Sequence, residues 1–289
     1  MNKINTFIIG AQKAGTTSLY DWMGQHPDIS APEEIKDYHF VTHEVKFSKG
    51  WNSLVLFYEP QKVVKIHAAV NYLYFNKTAA HRINKYNPNA KIIVCLRNPV
   101  IRAISAYKYF VRTARENCSF KEALNRELKG RVLDEKLSDH TYLEHGKYIK
   151  QIEGFLEYFD RKQLHFLIFE ELIDEGKRDS LMVKLFQFLD IDPEFEVSYT
   201  HRNKSGKPKS ALLNRLIRKN YSLKTFKNLI PFSIRKKIGI KLKEINISDE
   251  DVKVNITDKQ SEFLNGYFKK TINELEIFLE KDLSNVWDY

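Results

Sequence analysis

A chain of 289 residues, 43% hydrophobic and 29% charged, can bury a sizeable core and is too apolar for wholesale disorder. No apolar run reaches the ~18 residues of a membrane span, and two cysteines, Cys95 and Cys118, imply neither a disulfide nor a zinc framework. A formal net charge of +10 points to an anionic ligand, acceptor or surface without choosing among them.

The first predicted strand, Thr6 to Ile9, leaves no room for a signal peptide, so the expectation is a cytoplasmic chain. It runs into Gly10-Ala11-Gln12-Lys13-Ala14-Gly15-Thr16-Thr17 and a helix from about Thr17 to Gln25. Two glycines at that spacing let successive backbone N–H groups converge on an anion, and the helix adds its positive end. A nucleotide hydrolase would carry lysine and then serine or threonine after the second glycine. Here two threonines stand there, and the lysine has moved inside the loop as Lys13.

A strand from Lys62 to Ile66 and a helix from Lys77 to Tyr86 follow. The next strand, Lys91 to Leu96, ends in Arg97 where a hydrolase would place a magnesium-binding aspartate. Pro99 then opens a helix predicted from Val100 to Thr113. Arg97 at the carboxyl end of a buried strand and Ser105 about two turns into that helix suit a phosphate monoester: the guanidinium supplies charge and a fork of donors, the hydroxyl one donor more. Further helices are predicted at Phe120 to Lys129, Lys147 to Tyr158 and Ser180 to Leu189, with a strand at Leu164 to Phe169. The alternation predicts an α/β protein of the P-loop-type three-layer fold, a central parallel β-sheet flanked by helices. After the loop-like "THRNKSGKPKS" comes a basic helical region, about 211–289, ending in a helix near Phe263 to Leu279. Its positive faces read as solvated, with peripheral contact to an anionic membrane as the second reading.

Two anion sites on adjacent strand ends suggest a nucleoside with phosphate groups at both ends. At this point a resemblance becomes specific. "FIIGAQKAGTTSLYDWMGQHP" resembles the 5′-phosphosulfate loop of sulfotransferases that use 3′-phosphoadenosine 5′-phosphosulfate (PAPS), and "CLRNPVIRAISAY" resembles their 3′-phosphate segment. The similarity is nearest to the bacterial branch related to heparan sulfate sulfotransferases. "RNKSGKPKS" is similar to the family's loop over the nucleotide, and "TINELEIFLEKDLSNVW" to its closing helix. The resemblance implies one sulfotransferase domain over residues 1–289. It also implies PAPS as donor, 3′-phosphoadenosine 5′-phosphate (PAP) as product, no metal, and a small-molecule, sugar or glycolipid acceptor rather than nucleic acid. Gln12, Lys13, Ala14, Gly15, Thr16, Thr17 and Ser18 would form the 5′ site, with Lys13 also catalytic. Arg97 and Ser105 would form the 3′ site, and Lys204, Gly206 and Lys207 the cap.

The family's base is often a glutamate two residues before a His-Phe-Phe-like pair. In "APEEIKDYHFVT", anchoring on His39-Phe40 selects Asp37, whereas anchoring on His26-Pro27 selects Glu34, which a Lys-Glu-like phrase favours. His67, in the strand end "KIHAAV", is either a third acid–base group or a hydrogen-bonded structural histidine. Trp51, Tyr58, Tyr72 and Tyr74 divide between core and ring-stacking roles. Two other classes compete: a P-loop kinase, which lacks its Gly-Lys-Ser/Thr, and a non-catalytic basic module, which leaves Lys13 and Arg97 unexplained.

Overall fold

The computed structural model describes residues 3–113, 115–130, 140–199 and 256–287. Lys204, Gly206 and Lys207, and the basic stretch from 211 to 255, lie outside them. The described residues divide into two compact units, and the division falls within one helix: residues up to Ala103, from Leu143 to 199 and from Asp258 onward form the first, Ile104–Tyr142 with 256–257 the second.

The first unit is built on a five-stranded sheet in the order β2-β3-β1-β4-β5, every pair parallel. The strands are β1 (Thr6–Gly10), β2 (Ile29–Ser30), β3 (Val64–Ala68), β4 (Lys91–Leu96) and β5 (Leu164–Ile168). All five residues of β1 and of β3 are buried, as a parallel sheet covered on both faces requires. Fully burying a side chain such as Phe7 or Ile92 is worth roughly 1.5–3 kcal/mol. Two-residue β2 has no periodicity that a sequence could display.

Among the described residues the helices are α1 (Thr16–Met23), α2 (Glu44–Phe47), α3 (Asn52–Val55), α4 (Asn76–Tyr86), α5 (Pro99–Arg112), α6 (Phe120–Leu128), α7 (Tyr148–Leu156), α8 (Phe169–Leu172), α9 (Glu175–Leu189) and α10 (Asp258–Leu279). The connection β1-α1-β2 runs one way along the sheet and β3-α4-β4 the other. Right-handed crossovers therefore put α1 and α4 on opposite faces. α9 joins α1, with Phe186 4.9 Å from the His26 ring. α7 joins α4 so closely that a Cβ on Gly154 would fall 2.0 Å from Asn76 Oδ1.

Asn98 caps α5, its Oδ1 accepting from Val100 N (2.9 Å) and Ile101 N (3.2 Å), and proline follows at the first helical position. α9 starts five residues before the predicted Ser180, because Asp174 caps it by accepting from Gly176 N (2.8 Å). The glycine and the charged first turn hid that start.

In the second unit a capping box of Ser119 and Glu122 opens α6. Burial pushes the Glu116 carboxyl up, but hydrogen bonds from Arg126, Cys118 and Tyr142 outweigh it and hold the pKa at about 2. Cys95 and Cys118 are free thiols. Among the described residues no helix is long and apolar enough to cross a membrane.

Candidate functional site

The phosphate loop leaves β1 between β3 and β4 and is tied to the end of β4 three times. Ala11 N donates to Cys95 O (2.7 Å), the Cys95 thiol donates to Ala14 O (2.8 Å), and Arg97 Nη1 donates to Lys13 O (3.1 Å). Burial pushes the Cys95 thiol well up, so it stays a neutral donor. Lys13 and Gly15 both have left-handed backbone, φ 66° and 78°. For Lys13 this costs about 1 kcal/mol, and its carbonyl meets Arg97. At Gly15 a Cβ would fall 2.5 Å from the Phe169 ring, so glycine is required. Gln12, Ala14 and Thr16 are buried, Lys13, Thr17 and Ser18 half-buried.

Arg97 lies over the Phe169 ring at 4.5 Å and 3.9 Å from Glu170 Oε1, and its buried Nε makes no hydrogen bond. Burial draws its pKa below the usual arginine value, with Glu170 opposing. Its backbone is fixed by Tyr148 Oη, which donates to Arg97 O (2.8 Å). Glu170 accepts from Asn98 N (3.2 Å) through Oε1 and from Trp287 Nε1 (2.7 Å) through Oε2. Burial raises the Glu170 pKa above its ordinary value against these donors.

A second corner forms where the Glu33–Ile35 turn meets α1 and β3. Tyr20 Oη, on α1, donates to Pro32 O (2.9 Å). Lys36 Nζ donates to Thr17 Oγ1 (3.0 Å) and to Asp37 Oδ2 (2.9 Å). Asp37 N donates to Ala68 O (2.9 Å), and Val70 N to Asp37 Oδ1 (3.4 Å). Burial raises the Asp37 pKa, but 40% of the side chain remains exposed, and the Lys36 ammonium with the Val70 amide carries the balance below the ordinary value.

The structure thus brings Gln12 to Ser18, Arg97 and Asp37 to the carboxyl ends of β1, β3 and β4. Glu34 lies in the turn upstream of the residues tied to β3 and Thr17. Ser105 is half-buried on α5, in the second unit. His67 is fully buried and hydrogen-bonded to Tyr72 Oη (2.8 Å), and burial lowers its pKa to about 3, so it is neutral in the physiological range. Sequence reasoning missed Lys36, Phe169 and Glu170. The signal for Lys36 was its place beside Asp37, while the other two show their role only once β5 is seated beside β4.

Fold and site together define an α/β protein of P-loop architecture whose loop carries its lysine internally. The chain belongs to the sulfotransferase family: the family model "Sulfotransferase domain" matches residues 3–276. A similar relative is mouse "Heparan sulfate glucosamine 3-O-sulfotransferase 5", 26% identical over 191 residues that cover 64% of this chain and 53% of that protein. Human "Carbohydrate sulfotransferase 15" is 26% identical over 246 residues, 65% of this chain and 44% of that protein. The chain therefore spans about half the length of these curated relatives. The fold matches a crystal structure described as a sulfotransferase from Alicyclobacillus acidocaldarius, with TM-score 0.71, 24% identity and 99% of both chains covered.

Proposed function

We propose that the chain moves a sulfuryl group from PAPS to a hydroxyl or amine of a carbohydrate or glycolipid acceptor and releases PAP. The observation that supports this reading is the bond from Arg97 to the Lys13 carbonyl, which ties together the two segments proposed to bind phosphate. The sugar class rests on the names of the relatives.

In this reading the loop amides with Thr16 and Thr17 grip the 5′-phosphate, framed by Gln12, Ala14 and Ser18. Thr17 Oγ1 already accepts from Lys36, which leaves its proton to donate outward. Arg97 and, from the sequence resemblance, Ser105 take the 3′-phosphate; the guanidinium, whose side chain is 20% exposed, supplies charge there. Lys204, Gly206 and Lys207 keep the cap role the resemblance gives them. Asp37 is the base in preference to Glu34, because it is tied to β3 and to Lys36 beside Thr17. The acceptor oxygen or nitrogen forms a bond to sulfur as the bond from sulfur to the bridging phosphate oxygen breaks. The acceptor proton passes to Asp37, and the Lys13 ammonium stabilises the charge gathering on the bridging oxygen.

The test is a calorimetric titration of the full chain with PAP beside ATP, in chelator and in magnesium. PAP binding tightly without metal, with ATP at least about tenfold weaker, is the expected outcome, since a second phosphate site adds charged hydrogen bonds. A preference for magnesium-ATP would overturn the reading and restore a kinase.

A further inference from the structure

The turn from Asp37 to Val41 is pinned at both ends to the residues that follow β3. Asp37 N donates to Ala68 O (2.9 Å), and Val41 N donates to Tyr72 Oη (3.0 Å). The same segment is tied to the root of the phosphate loop: Ala69 N donates to Ile8 O (3.0 Å) and Leu73 N to Ile9 O (2.8 Å). Residues 68–73 therefore stand between the loop and the carboxylate and are bonded to both.

Within the turn, Asp37 and His39 have left-handed backbone, φ 56° and 48°. Non-glycine residues adopt it at some cost in energy, so such a turn persists only where its surroundings fix it. Arg82 Nη1 holds the far side of the turn by donating to Val41 O (2.8 Å), while Val41 N has Tyr72 Oη as its partner. Val41 is fully buried. Without that oxygen its N–H would be unpaired in the core, and the turn would have to shift to satisfy it.

Tyr72 is held in turn by His67, both of them fully buried, with His67 Nε2 2.8 Å from Oη. Burial keeps the phenol protonated and the imidazole neutral. Because Oη accepts from Val41 N, its own proton is best placed toward His67 Nε2, which makes Nδ1 the protonated nitrogen. Nδ1 is buried and has no hydrogen bond. The reverse tautomer would leave the phenol proton unpaired as well. The histidine thus carries an unpaired polar group that an apolar side chain would not, and in exchange it offers an acceptor that fixes the direction of the phenol.

We propose that Tyr72, oriented by His67, is a positioning residue that holds the Asp37 turn in register with the phosphate loop. The inference rests on the proposed role of Asp37 as base. His67 then acts as a buried neutral acceptor and exchanges no proton with substrate. Its effect reaches the reaction only through Tyr72, Val41 and the turn.

The experiment uses the full chain, isotope-labelled at the aspartate carboxyls and titrated with acid by NMR, with and without saturating PAP. The Asp37 signal is identified by its loss in Asp37→Asn. Bound PAP brings negative charge near the carboxylate, so in the parent it moves the Asp37 titration to higher pH. In Tyr72→Phe and in His67→Leu that PAP-induced shift falls to less than about half the parent's, because charge interaction fades within a Debye length as the turn drifts. His67→Gln, whose Oε1 accepts from the phenol, keeps the parent's shift. All three variants bind PAP as the parent does, since the ties from Ala69 and Leu73 to β1 are main-chain bonds, and that binding also reports folding. A shift in Tyr72→Phe as large as the parent's would overturn the proposal, as would a His67→Gln chain that behaves like His67→Leu. Loss of PAP binding in Tyr72→Phe would make the tyrosine a general structural residue and overturn it too. An Asp37 signal that ignores bound PAP in the parent would instead remove the base role from Asp37, and this inference with it. A parent that fails to bind PAP would overturn the donor reading on which both depend.

Discussion

Between Gly10 and Thr17 the chain is held by main-chain groups and by the neighbouring strand: Ala11 N to Cys95 O, the Cys95 thiol to Ala14 O, Arg97 to Lys13 O. Between Pro32 and Asp37 it hangs chiefly on long side chains, with Tyr20 reaching Pro32 O and Lys36 reaching both Thr17 and Asp37. The first corner is held by three bonds to the end of β4, one of them between main-chain groups, so cutting one side chain leaves two in place. The second is pinned to β3 through Asp37 N and Ala68 O, and one lysine ties its carboxylate to Thr17 and lowers its pKa. In the proposed function the first corner is the anion cradle, which needs fixed dipoles, and the second holds the base, which needs a tuned pKa.

The largest effect should come from the base. Asp37→Asn is expected to slow PAP release from PAPS, in the presence of a saccharide acceptor, by about 10²- to 10⁴-fold with PAP affinity retained. An unchanged rate would move the base role back to Glu34. Lys13→Ala should cost about 10²- to 10³-fold, the loss of one preorganised donor to developing charge.

Lys36→Ala separates the corners most cleanly. With Lys36 present the Asp37 pKa lies below the ordinary carboxylate value, so the base is ionised above it and the acid limb of the pH–rate profile sits low. Removing the ammonium leaves burial as the main influence, which raises the pKa. The acid limb then moves to higher pH, and activity lost at low pH returns as pH rises; Lys36→Arg restores the parent profile. An acid limb that stays in place would show that Lys36 is merely structural.

Gly15→Ala tests the first corner. The added methyl meets the Phe169 ring at 2.5 Å, and the backbone is left-handed. Urea unfolding should show destabilisation of roughly 1–3 kcal/mol from overpacking. Glu34→Gln is the smallest expected change, within about twofold in rate, because half-buried Glu34 has no part in the proposed transfer.

Much of this was legible. β1, β4 and β5 announce themselves as apolar runs between turn residues, and Asn98-Pro99 marks the start of α5 by cap chemistry. The loop's form could be read because glycine spacing encodes its backbone geometry, with Gly15 at φ 78°. The carboxylate was harder, because its place follows from turn backbone at Asp37 and His39, φ 56° and 48°, which spacing from a histidine does not reveal. Lys36 and Phe169 act only through tertiary contact, so no local pattern marks them. Of the four aromatic residues offered for stacking, Tyr58 and Tyr72 are core, and Trp51 stacks on Tyr86 at 3.9 Å. Tyr74 is half-buried and stacks on His145 at 4.2 Å.

The bond from Trp287 to Glu170 bears on when the site can first exist. Glu170 also holds Asn98 N, so the segment that follows Arg97 is braced by a tryptophan translated long after the loop, β4 and β5. Trp287 is 1% exposed and Leu283 fully buried, so that brace is seated in the core. On the ribosome the loop from Gly10 to Thr17 emerges well before Trp287 does, and the brace on Glu170 is completed only then. Nascent chains held back before Trp287 should therefore grip PAP less firmly than chains extended past it, if the proposed site is the one that binds it.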